Sequence, residues 1–164
     1  MIILGIDPGL ATMGFGVIRT GGDRHQLIQF GALTTAAGQP TPQRLRTIFV
    51  GVNQLMDTYS PDEVAFEELF FAKNVTTGMN VSAARGAALV AAAQRTEELY
   101  EYTPMQIKQA ITGYGKADKH QMQSMVRMLL GLAEIPRPDD AADALAVAIT
   151  HANSMAMRQQ FRIK

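Results

Sequence analysis

Ile2-Ile3-Leu4-Gly5-Ile6-Asp7-Pro8-Gly9 is the stretch whose reading decides the fold. A continuous apolar run closed by one carboxylate and a Pro-Gly turn reads as a strand buried on both faces. After the turn at Pro8-Gly9 and Gly14, Phe15-Gly16-Val17-Ile18-Arg19 reads as its hairpin partner. Gly21-Gly22-Asp23 makes a second turn, and Gln26 to Leu33 alternates as a third strand. The chain therefore opens as an antiparallel meander with its most apolar strand in the centre.

Downstream, Thr41-Pro42 reads as an N-cap followed by Pro at the first helical position. Leu45, Ile48, Phe49, Val52, Leu55 and Met56 then fall on one helix face. Tyr59-Ser60-Pro61-Asp62 stops that helix, and Glu63 to Glu67 is a short strand that crosses back parallel to the first. Phe70 to Gly78 reads as a loop and residues 79–98 as a long Ala-rich helix. Its Gly78, Ser82 and Gly86 form a small-residue face, lying either on the sheet or in a dimer seam. Leu99 to Tyr102 is a fifth strand, and Thr103-Pro104-x-Gln106 is a capping box opening a short helix. Beyond the Gly113-Tyr114-Gly115-Lys116 loop, Met122, Met125, Val126, Leu129 and Leu130 mark a helix core face. Pro136 and Pro138 break the chain before a last helix, starting at Asp139 or Asp140, that buries Ala141, Ala144, Leu145, Ala148, Ile149 and Ala152. This order predicts one α/β domain over residues 1–164, with a five-stranded mixed sheet flanked by helices.

The bulk composition narrows the class. At 164 residues, 47% hydrophobic and 18% charged, the chain is globular rather than disordered. The ten methionines read mainly as core filler. With no cysteine, disulfides and thiol chemistry are excluded, which fits a cytoplasmic protein. The six-residue apolar run before Pro8 is too short for a signal peptide or membrane span, so no membrane partner is expected. Fifteen basic and fifteen acidic residues give zero net charge, which argues weakly against a nucleic-acid binder. The distribution argues the other way. Residues 104–164 carry eight basic and five acidic side chains, and three of those five are Asp139, Asp140 and Asp143. If these acids line a pocket, the surrounding surface is basic.

Four carboxylates carry the chemistry. Asp7 and Glu67 each close a strand, while Asp140 and Asp143 share one face of the last helix. Acids gathered without His or Cys suit hard divalent cations, above all Mg²⁺. Each acid also has a plain structural reading. Asp7 could cap the Gly9 turn, Glu68 competes with Glu67, and Asp139 and Asp140 suit an N-cap and the helix dipole. That last reading fits Asp143 poorly, because it lies in the second turn beside Ala and Leu. Phe70 and Phe71 either anchor their loop or stack on an unpaired base, with Lys73 beside them on a phosphate. Lys108, Lys116 and Lys119 are either a solvated face or a phosphate-guiding rim. His151 reads as structural, since the site is oxygen-rich.

Gly5-Ile6-Asp7-Pro8-Gly9, Glu67-x-x-Phe70-x-Ala72-Lys73-Asn74, Gln106-x-Lys108-Gln109 and Asp140-Ala141-Ala142-Asp143-Ala144-Leu145-Ala146, with Ile149-Thr150-His151, together resemble the RuvC family of Holliday junction resolvases. The resemblance spans the whole chain, and the four motifs in this order are highly specific. It implies an RNase H-like fold and a homodimer that nicks two opposed strands of a four-way DNA junction. It makes Asp7, Glu67, Asp140 and Asp143 the catalytic and metal-binding acids, Lys108 and Lys119 the basic residues near the scissile phosphate, and Phe70 the aromatic near the crossover. It also implies cooperation with the RuvA and RuvB branch-migration proteins. On this reading two Mg²⁺ ions, with Mn²⁺ as a substitute, sit about 3.5–4 Å apart, with Asp7 bridging them. An actin-like ATPase shares the strand–Asp–x–Gly start, but this chain lacks room for the second domain and second phosphate loop. Other rivals are an RNase H-like nuclease of different substrate and an inactive junction binder; the intact acids oppose the latter.

Overall fold

Strand β1 (Ile2–Asp7) is buried from Ile3 to Ile6 and lies in the middle of the sheet, as a run apolar on both faces must. The computed structural model describes residues 1–22, 24–69 and 75–164. β1 is followed by β2 (Thr12–Gly21), β3 (Arg24–Thr34), helix α1 (Thr41–Tyr59), β4 (Glu63–Glu67), α2 (Val75–Ala93), β5 (Leu99–Tyr102), α3 (Pro104–Thr112), α4 (Lys119–Leu129), α5 (Asp139–Asn153) and a 3₁₀ segment, Met155–Phe161. The sheet order is β3-β2-β1-β4-β5. The first three strands form the antiparallel meander, and β4 and β5 add in parallel.

Alternation along β1 and β4 divides the core into two layers. Leu4, Ile6, Val64 and Phe66 pack under α1 and α2. Ile3 and Ala65 face the opposite layer, built from α3, α4 and α5. Asp7 and Glu67 continue the second face.

Helix α5 lies with its backbone directly on the strands. A Cβ on Gly5 would stand 2.2 Å from the Ala144 carbonyl oxygen, and one on Gly14 would stand 1.9 Å from that of Asp140. Those two strand positions must therefore be glycine for α5 to lie this close. At its far end α5 is fixed by a buried polar cluster. His151 Nε2 lies 2.6 Å from Glu63 Oε2, and the Tyr102 hydroxyl lies 2.8 Å from His151 Nδ1. A carboxylate can only accept, so Nε2 donates to Glu63 and Nδ1 accepts from Tyr102. Burial lowers the His151 pKa despite the Glu63 contact, which keeps this neutral arrangement. The structural reading of His151 holds.

Several boundaries differ from the sequence expectation. β2 starts at Thr12, and Gly14 pairs with Asp7 in the ladder instead of making a turn. Its small size serves the contact with α5. Pro40 is the N-cap of α1, and Thr41 is already helical with no side-chain cap. Residues 75–78 are helical rather than loop, and α2 ends at Ala93, where Arg95 and Thr96 turn back to the Ala92 carbonyl. The face bearing Gly78, Ser82 and Gly86 does not lie on the sheet. Ala84, Ala88, Ala91 and Ala92 fill that role, and a Cβ on Gly86 would meet nothing within 4 Å. Leu129 is exposed at the end of α4, and Gln123 is buried because it binds Asp139. Met13, Met56 and Met122 fill the core, but Met1, Met79, Met105, Met128 and Met157 are exposed, so core filling explains only part of the methionine content.

Gly5→Ala tests the close approach. Overpacking at a helix–strand contact costs about 1–3 kcal/mol. Urea denaturation is expected to show a lower midpoint with an unchanged slope, together with reduced activity from displacement of α5.

Candidate active site

Asp7 and Glu67 leave neighbouring parallel strands side by side. Ile6 pairs with Phe66, so the next residue on each strand reaches the same end of the sheet and the same α5-facing side. Glu68 is exposed, and its N–H donates to the Tyr102 carbonyl at 2.8 Å. Glu67, and not Glu68, therefore lies in the cavity with Asp7. Asp143 sits one turn into α5 and lines the same cavity of about 340 Å³ as Asp7 and Glu67. Lys108 from α3 and Lys119 from α4 complete its charged lining, with Ile107 and Met122 as apolar wall. Asp140 lines an adjoining cavity under residues 9–12, yet its charge still acts on Asp7.

The acids disturb one another. Burial, then the charges of Glu67, Asp143 and Asp140, push the Asp7 carboxyl up from 3.8 to about 8, against the pull of Lys119. Glu67 is pushed up to about 7, by burial first and Asp143 second, with Lys108 opposing. Burial also raises Asp143, while Lys119 opposes it. More negative charge converges here than the two lysines offset. Among the described residues no three acidic or histidine side chains gather tightly enough, as they stand, to ligate a single ion. The carboxylates stand around the cavity instead, the arrangement their mutual repulsion favours.

Local capping places the lysine. Asp118 accepts from the Gln121 N–H at 2.8 Å, and Gln121 Oε1 accepts from the Asp118 N–H at 2.9 Å. This box fixes Lys119 in the first turn of α4. Lys119 Nζ lies 3.1 Å from Asp139 Oδ2 and 3.8 Å from Asp143 Oδ2. The bond to Asp139 is the first cause of the raised Lys119 pKa. Asp139 is not the N-cap of α5; Pro138 is, and Asp139 makes no cap bond. It accepts instead from Gln123, at 3.0 Å, and from Arg137. Sequence reading missed this role, although Asp118-x-x-Gln121 was a legible cue to the placement of Lys119. Lys116 is exposed in the turn before α4 and does not line the cavity. Phe70, Phe71 and Lys73 lie outside the described residues.

A family model described as crossover junction endodeoxyribonuclease RuvC matches residues 3–151. The chain belongs to the RuvC family. A RuvC relative from Rubrobacter xylanophilus is 59% identical over 156 residues, covering 95% of this chain and 87% of that protein. One from Alkaliphilus metalliredigens is 51% identical over 164 residues, covering all of both. The solved structure of Thermus thermophilus RuvC in complex with Holliday junction substrate matches with a TM-score of 0.90 and 40% identity, over 96% of each chain. With the observed strand order, this likeness makes the fold RNase H-like, as the RuvC motifs implied. No described helix is long and apolar enough to cross a membrane.

The raised carboxyl pKa values set a pH dependence of stability. Asp7 and Glu67 hold protons in the folded protein to higher pH than in the unfolded chain, so folding is favoured below about pH 4 and this contribution is lost as pH rises through about 7 to 8. In chelator, the melting temperature is expected to fall between pH 5 and 8.5. Asp7→Asn is expected to melt higher than wild type at pH 8.5 and to show a shallower pH slope.

Proposed function

We propose that this chain is a structure-selective endodeoxyribonuclease that resolves four-way (Holliday) DNA junctions by paired symmetric nicks, in recombination and repair. The observation that carries the reading is the carboxylate cavity of Asp7, Glu67 and Asp143, rimmed by Lys108 and Lys119, in a chain of the RuvC family. The named activity of the relatives and the junction complex of the Thermus protein support it. We assign the catalytic role to one nuclease domain over residues 1–164.

The donor set fits a hard divalent cation. Every candidate ligand is a carboxylate oxygen, and burial, with the neighbouring acidic charges, raises Asp7, Glu67 and Asp143, which a bound cation would offset. Asp7, Glu67, Asp140 and Asp143 would hold Mg²⁺, two ions per site, and Mn²⁺ would substitute. When bound, the cations would polarise the phosphodiester and activate the attacking water. The protein's own contribution is placement and charge. Lys119, shared between Asp139 and Asp143, puts an ammonium where negative charge grows on the phosphate. Lys108 lines the same cavity, its charge acting on Glu67, and would contact the DNA backbone. Ile107 and Met122 give the cavity its apolar lining.

Paired nicking requires two sites related by a dyad, hence a homodimer. Support comes from α2. Val75, Met79, Ser82, Gly86 and Val90 form an exposed stripe opposite the buried alanines, with Val75 76% and Met79 67% exposed. Small and apolar residues on one helix face allow a close symmetric partner. We also assign this chain the RuvA and RuvB branch-migration proteins as partners, and a cytoplasmic location.

Three measurements test this reading. With Mg²⁺, wild type is expected to cut a mobile four-way junction at symmetric positions and leave linear duplex of the same sequence intact. Asp7→Asn should keep junction binding and lose cleavage by about 10²–10³ or more, the range for loss of one transition-state charge partner. Equal cutting of duplex, or normal cleavage by Asp7→Asn, would refute the assignment. Met79→Glu should sediment as a monomer and release single unpaired nicks; a stable dimer would place the interface elsewhere.

A further inference from the structure

Beside the catalytic cavity lies a second one, of about 390 Å³, lined by Gly9, Thr12, Arg44, Asn80 and Asp140 among others. Asp143 lines the first cavity, and Asp140, one turn earlier on α5, lines the second. Both carboxylates act electrostatically on Asp7. A nucleic-acid strand whose reacting phosphate reaches Asp7 therefore has this second cavity as its continuation.

Arg44 is held in that cavity by a relay. Its Nε donates to Thr35 Oγ1 at 2.8 Å, and Thr35 Oγ1 donates in turn to the Leu10 carbonyl at 2.5 Å. The Thr35 N–H also binds the Ala11 carbonyl at 3.0 Å, so Thr35 ties the loop after Asp7 to the guanidinium. Among the described residues Arg44 has no carboxylate within ion-pair distance, unlike Arg85, Arg95, Arg137, Arg158 and Arg162. Nε is used by Thr35, which leaves the two terminal nitrogens for a bidentate acceptor. A half-buried, oriented arginine with no carboxylate partner, in a cavity that Asp140 also lines, has its charge left for a ligand. Its fork matches a phosphate.

We propose that Arg44, oriented by Thr35 and assisted by the Asn80 amide, is a phosphate-binding subsite for the cleaved strand, gripping a backbone phosphodiester on the Asp140 side of the reacting one. This rests on the nuclease reading above and adds a contact to it. The site holds the strand in both cavities: Lys108 and Lys119 in one, Arg44 in the other. Because it is made from α1 and the loop after β1, the grip is coupled to the strand that carries Asp7.

The test is the salt dependence of junction binding in chelator, where no cutting occurs. Removing one cation from a phosphate lowers the slope of log K against log salt by about 0.9. Arg44→Ala is expected to weaken binding several-fold at moderate salt and to lower the slope by about that amount per subunit. Arg44→Lys should recover most of the slope, because it restores the charge. Arg44→Gln keeps a donor for Thr35 and removes the charge, so it should behave like Arg44→Ala even if the alanine variant is unstable. Unchanged affinity and slope in Arg44→Gln would overturn the proposal. So would weaker binding at an unchanged slope, which marks a purely structural role. Wild type that fails to prefer the junction over duplex would instead overturn the functional reading itself.

Discussion

The contact between the α5 backbone and the glycines of β1 and β2 is the constraint from which the site follows. Gly5 and Gly14 leave no side chain between helix and sheet, and the carbonyls of Ala144 and Asp140 occupy the space a Cβ would need. A helix brought that close presents Asp140 and Asp143 to a strand ending in Asp7, and β4 places Glu67 beside it. The far end of α5 is held by His151 against Glu63 and Tyr102, so the helix can neither slide nor tilt without breaking a buried hydrogen-bonded cluster. Rigid backbone elements, rather than loops, thus carry all four acids, which suits chemistry that depends on position.

That placement works against stability. Asp7, Glu67 and Asp143 are buried among like charges, and each resists ionising for that reason. The folded protein would be more stable with a neutral group in place of Asp7. Such a conflict between local stability and function is what the proposed role of these acids entails. The lysines soften it from the rim. Lys119 is itself positioned by Asp139, an acid that spends its capacity on Lys119, Gln123 and Arg137 instead of on the cavity.

Much of this architecture is legible in the amino-acid sequence. The Ile2–Ile6 run has no polar face and so had to be a central strand, whereas the alternation of Ala65 and Glu67 against Val64 and Phe66 paired Glu67 with Ala65 without saying which side faces Asp7. The Thr103 capping box and the apolar stripe of α5 were equally plain. Features that depend on tertiary approach were harder to read. Gly14 looks like a turn residue until α5 is seen lying on it. The small-residue face of α2 could have packed on the sheet until the alanines opposite were found there. The relay from Arg44 through Thr35 to Leu10 joins residues that are distant in sequence, and nothing in their spacing announces it.

The proposed chemistry depends on Asp7 feeling the charges of Glu67, Asp140 and Asp143. Carbon-13 NMR titration of the Asp7 side-chain carboxyl in metal-free protein tests it most directly. Burial and the neighbouring acids set an expected midpoint near 8 that falls sharply when Mg²⁺ is added. A midpoint near the ordinary 3.8, indifferent to Mg²⁺, would mean that Asp7 is neither desolvated nor coupled to its neighbours and holds no cation.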